Sequence, residues 1–108
     1  MPSLSKVDAL LSQIKLPTEL VPLPNWQPLH TAISSRLYGF ATGCNESSVV
    51  TALSEAICNA GFILNHAERQ ESHYGSAAGS LSVSVSTGWI VNRENNEQVV
   101  RMFVEFWA

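Results

Sequence analysis

Charge is scarce in this chain. Only 14% of its 108 residues are Asp, Glu, Lys or Arg, against about 25% in an average domain. The six basic residues stand singly, so nothing resembles the basic stripe that neutralises phosphates, and nucleic acid is excluded as a partner. Long apolar runs are missing too. No stretch approaches the roughly 18 residues that a membrane-spanning helix needs, so no membrane span is expected. The start, MPSLSKVDALL, has an early acidic residue and neither a long apolar core nor a small-residue cleavage site. It does not read as a secretory leader, and a cytoplasmic location is expected.

Cysteine is nearly absent. Cys44 and Cys58 flank a segment that reads as helical, which separates them by about 20 Å at ~1.5 Å per residue. A disulfide needs Cα atoms within about 7 Å, so the two do not pair, which fits a reducing compartment. Absent as well are GxGxxG, the P-loop pattern, HExxH and any compact metal-ligand spacing. No cofactor or metal is expected.

What is present is apolar: 45% of residues are hydrophobic. That is too many for a disordered chain and enough for one domain, residues 1–108, with its own core. Leu4, Val7, Leu10, Leu11 and Ile14 recur at helical spacing over 3–15, with Ser3 or Ser5 as N-cap and Pro17 as terminator. Residues 16–28 hold four of the five prolines and read as an extended connector. With Leu20, Val21, Leu23 and Trp26 it is greasy enough to pack on the domain. Residues 29–35 read as a short helical turn, with His30 as a structural residue. Together, 1–35 form an N-terminal helix and packed connector, and 36–108 form a βαβββ core.

In that core, 36–43 reads as a strand. The helix over 46–60 carries the clearest signals. Asn45 serves as N-cap, Glu46 sits in the first turn where the helix dipole favours an anion, and Gly61 is suited to the residue after the C-cap. Residues 62–72 read as one strand, 73–79 as a loop, 80–91 and 98–107 as a hairpin, and 92–97 as its turn. The expected fold is α+β, a mostly antiparallel four-stranded sheet in the chain order α-β-α-β-β-β, with the 46–60 helix on its inner face.

The hairpin is unusual. Leu81, Val83, Val85, Trp89 and Val91 share one parity, and Ser80, Ser82, Ser84, Ser86 and Gly88 share the other. Period-two alternation marks a half-buried strand, but tiny residues throughout the second parity do not. Matching the apolar parities pairs Val91 with Gln98, Trp89 with Val100, Val85 with Val104 and Val83 with Phe106. The outer face then sets Gly88 beside Arg101, Ser86 beside Phe103, Ser84 beside Glu105 and Ser82 beside Trp107. A trough of small residues runs beside a ridge bearing two large aromatics, each worth about 2–3 kcal/mol on burial.

Such a face needs a cover. The N-terminal helix could fold over it to make a helix–sheet–helix sandwich, or a second subunit, another protein or a ligand could. The function expected from this reading is a non-enzymatic binding or assembly module. It would be a homo-oligomer contacting through Ser82, Ser84, Ser86, Gly88, Arg101, Phe103, Glu105 and Trp107. A different reading is a small-molecule-binding protein with an apolar pocket between the sheet and the connector, lined by Trp26, Tyr38 and His66. A third is a small enzyme using His66, Glu68 and Glu71, with Cys44 as nucleophile. His66, Glu68, Glu71 and His73 are also suitable transition-metal ligands, but His66 and His73 have opposite parity and should diverge on an unbroken strand, so cross-strand charge pairs are the plainer account. Cys44 reads as a small turn residue, Cys58 as a packing residue, and the 41–47 turn as ordinary helix capping rather than an anion site.

Overall fold

The computed structural model describes residues 4–29 and 34–108. Within these residues, two helices and one antiparallel sheet make up an α+β domain. Helix α1 spans Leu4–Leu11 and buries Val7, Leu10 and Leu11. It ends earlier than the apolar spacing predicts. The Ser12 hydroxyl donates to the Ala9 carbonyl at 2.7 Å, and the amides of Gln13 and Ile14 reach only three residues back, to Leu10 and Leu11. Side-chain competition and a tightened last turn close the helix before Pro17 acts. Helix α2 spans Glu46–Asn59, with Asn45 Oδ1 accepting from the Ser48 amide. Gly61, at φ +96°, follows its C-cap as expected. Val49, Leu53 and Ile57 form its buried stripe.

Among the described residues the sheet has seven strands rather than the expected four, and the chain order is α-β-β-β-α-β-β-β-β. Two of the additional strands come from the connector. They are β1, Leu20–Pro22, and β2, Trp26–Pro28. Neither shows period two for long enough to be legible, and each ends in a proline, which is tolerated only at a sheet edge. The next strand, β3, spans Arg36–Phe40. The third addition comes from the segment expected to be one strand and a loop. It is a hairpin of β4, Ile63–Glu68, and β5, Glu71–Ser76, joined by Arg69 and Gln70 alone. Strands β6, Gly79–Asn92, and β7, Gln98–Trp107, complete the set. The sheet order is β1-β3-β7-β6-β5-β4, and β2 pairs with the far end of β6. All pairings are antiparallel. The expected helical turn at 29–35 falls largely on residues outside the described ones, as do His30 and Ser3.

The β6–β7 register is the one the parities predict, from Ser82↔Trp107 to Val91↔Gln98. Both helices lie on the inner face. Val7, Leu10, Leu11 and Ile14 of the α1 region and Val49, Leu53 and Ile57 of α2 share one core with Leu81, Val83, Val104 and Phe106. The helix–sheet–helix sandwich is therefore not formed, and α1 does not cover the serine face.

The inner face also proves to be only partly inner. Beyond Val85 and Met102 the helices no longer reach, and Trp89 and Val100 stand 50% and 53% exposed. Along the same stretch burial changes sides. Ile90, on the serine parity, is buried with Leu37 and Phe103 beneath Leu23 and Trp26 of the connector. Alternation identifies two faces of a strand but not which one is covered at each point along it.

Candidate functional site

The outer face is organised in rows that cross the strands. The pairings His66↔His73, His73↔Ser82 and Ser82↔Trp107 place four side chains in one line across β4, β5, β6 and β7. The next row is Glu68, Glu71, Ser84 and Glu105. Contrary to the expectation that His66 and His73 diverge, they face each other. The chain reverses at Arg69–Gln70, and from that two-residue loop Glu68↔Glu71, Ala67↔Ser72 and His66↔His73 pair in one unbroken register. Their rings stack with centroids 5.9 Å apart.

Ser82 shows what a small residue does here. Its hydroxyl is hydrogen-bonded to His73 Nδ1 at 2.8 Å. The His73 ring then meets Trp107 edge-on, with centroids 6.4 Å apart and planes at 84°. His73 and Trp107 belong to strands separated by β6, and a bulky side chain at position 82 would stand between them. The serine gap lets two large rings close over it.

The carboxylates partner this row. His66 Nε2 lies 3.1 Å from Glu68 Oε1, and His73 Nε2 lies 3.6 Å from Glu71 Oε2. Glu105 is buried. Burial pushes its carboxyl above the ordinary range, a hydrogen bond from the Ser35 hydroxyl pulls it down, and the nearby Glu71 charge pushes it up again. Arg101 lies against Gly39, in space that a Cβ there would occupy, and donates to the Phe40 carbonyl at 3.4 Å.

Of the eight outer-face residues read from sequence, Ser84, Phe103 and Glu105 are buried within the chain. Ser82, Ser86, Gly88, Arg101 and Trp107 remain half-buried. Phe103 is thus covered by the chain's own Leu23 and Trp26 side of the connector, and it is not a free contact residue.

Trp26 and Tyr38 line a common cleft of about 330 Å³, with Asp8, Leu23, Pro24 and Arg36. His66 is not part of it, because β4 lies at the opposite edge of the sheet from β1 and β3. Asp8 and Arg36 form a two-pronged pair, with both hydrogen bonds at 2.8 Å. The guanidinium hydrogen bond holds the Asp8 carboxyl below its usual value. Burial, followed by the Asp8 charge, raises the Tyr38 phenol. This pair has no local sequence signal, since its members are 28 positions apart.

Cys44 is half-buried and packs on the inner core, whereas Cys58 is exposed on α2 and does not serve in packing. Both thiols are free. Among the described residues no three His, Cys, Asp or Glu side chains form a metal-ligand set. No helix among them is long and apolar enough to cross a membrane. The imidazoles and carboxylates of the outer face can donate and accept hydrogen bonds to a docked surface, and the Ser82 hydroxyl stands beside the His73 ring among them. No family model, curated protein or solved structure matches this chain.

Proposed function

We propose that this chain is a non-enzymatic binding and assembly module, a cytoplasmic homo-oligomer whose contact surface is the outer face around Trp107, His73 and His66. The observation that carries the reading is the row of three rings on a face that neither helix covers. Aromatic anchors held in place by neighbours, with a polar rim, are the composition of interface centres. Here Ser82 and Glu71 hold His73 in position, while Glu68 and Glu71 supply the rim. The buried Ser84, Glu105 and Phe103 lie on the same face in the neighbouring rows. Two free cysteines fit a reducing compartment.

Light scattering on the purified chain tests the reading. The wild type is expected to have a mass above that of one chain, and Trp107→Ser to return it to one chain while its circular dichroism is unchanged. A wild type that stays monomeric at every concentration overturns it.

A second reading has its own observation. Trp26 and Tyr38 meet in a cleft of about 330 Å³, at the lower end of the range for small-molecule sites. A small molecule co-purifying with the wild type in native mass spectrometry, and lost in Trp26→Ala, would favour it over assembly.

A further inference from the structure

The two edges of the sheet are built differently. At one edge, β1 is three residues long and ends in Pro22, so it offers little to another strand. Short edges and prolines are the usual means of preventing strand addition. At the other edge β4 is six residues long, has no proline or lysine, and is exposed at every position. Ile63 is 70% and Leu64 48% exposed, on opposite faces: Ile63 pairs with Gly75 on the outer side and Leu64 with Tyr74 on the inner side. Beyond β4 the sheet order ends, so one row of its backbone amides and carbonyls has no strand partner within the described chain.

We propose that β4 is the pairing edge for a second copy of this chain, in antiparallel register about a twofold axis perpendicular to the sheet. The proposal rests on the assembly reading and adds an edge contact to its outer-face one. Full overlap sets no two like charges together. Full overlap sets Leu64 beside the second copy's Ala67 on the inner face and Ile63 beside its Glu68 on the outer face. Ala67 and Leu64 share the inner side because the irregularity at Asn65 shifts parity between them. The arrangement holds the two Glu68 carboxylates at opposite ends of the pair, whereas a parallel pairing would set them side by side. It also joins the two ring rows, because His66 of each copy then lies at the seam, next to Asn65 of the other. A pair of six-residue strands is smaller than the roughly 20–30 residues a side of a standard interface. The dimer is therefore weak and reversible, and its backbone hydrogen bonds specify geometry more than affinity.

Sedimentation velocity over a concentration series, combined with amide hydrogen exchange, tests this. The wild type is expected to move from one chain to two as concentration rises, with exchange slowing at β4 amides and not at β1. The Ile63→Lys, Leu64→Lys double variant alters two exposed side chains. It should keep its circular dichroism and dissociate at least tenfold more readily. If that variant associates as tightly as the wild type while Trp107→Ser does not, the edge pairing is overturned and the outer-face assembly stands. A wild type that remains one chain throughout, with unchanged exchange at β4, overturns both, and leaves an extended strand of another protein as the occupant to seek.

Discussion

His66 and His73 stack at 5.9 Å across a hairpin whose loop is only Arg69 and Gln70. Arg69 takes the left-handed conformation this turn needs, at φ +41°, without the Gly or Asn that usually supplies it. An L-residue there carries strain of about 1–2 kcal/mol. Arg69→Gly should relieve part of it, raising stability by up to ~1 kcal/mol, or about 4 °C in Tm for a domain of this size. Thermal unfolding measures it, and a fall in Tm would contradict the strain argument.

The change of covered face along β6 and β7 gives a pair of opposite outcomes. Phe103 is 4% exposed and Trp89 50% exposed, although alternation assigns Trp89 to the core. Phe103→Ala should cost about 3–5 kcal/mol by emptying the space beneath the connector. Trp89→Ser should stay within about 1 kcal/mol. Urea unfolding curves compare them, and equal losses would mean that the helices cover the whole inner face.

Glu105 makes stability depend on pH in the less common direction. Burial raises its carboxyl in the folded state, so between its ordinary and raised values the folded chain holds a proton that the unfolded chain has lost. Stability therefore falls as pH rises through that window and is fully present below it. Glu105→Gln should remove this fall, being more stable than wild type near neutrality and no more stable in acid below the carboxylate range. Unfolding midpoints across pH decide it. A wild type losing nothing relative to the variant as pH rises would place Glu105 in water.

Asp8 acts with the opposite sign. Its carboxyl is held below the ordinary value of 3.8 by Arg36, so the pair stabilises above that value and its contribution is lost as pH falls through the lowered one. Both side chains are substantially exposed, at 51% and 34%, so screening keeps the contribution below about 1 kcal/mol. Asp8→Ala should show a loss of that size, shrinking in high salt. A loss indifferent to salt would point to packing against the cleft instead.

Much of the skeleton was legible locally. Helix α2 carries its own start and stop in Asn45, Glu46 and Gly61, because capping groups satisfy helix ends within a few residues. The β6–β7 register follows from parity alone, since a slip of one residue would set valines beside Arg101 and Glu105. The site was only half legible. Ser82 and Trp107 were placed side by side from sequence, but the His66–His73 stack was hidden by a turn at Arg69–Gln70 that lacks its usual residues.

Which residues share a face of each strand, and where the long helix begins and ends, follow from the order of residues alone, since those depend on periods and caps spanning a few positions. Which face is covered at each point, the placing of α1 with α2 rather than on the serine side, and the meeting of Asp8 with Arg36 come from the folded arrangement. Those outcomes depend on how far each helix and the connector reach across the sheet, a length in space that no local pattern encodes.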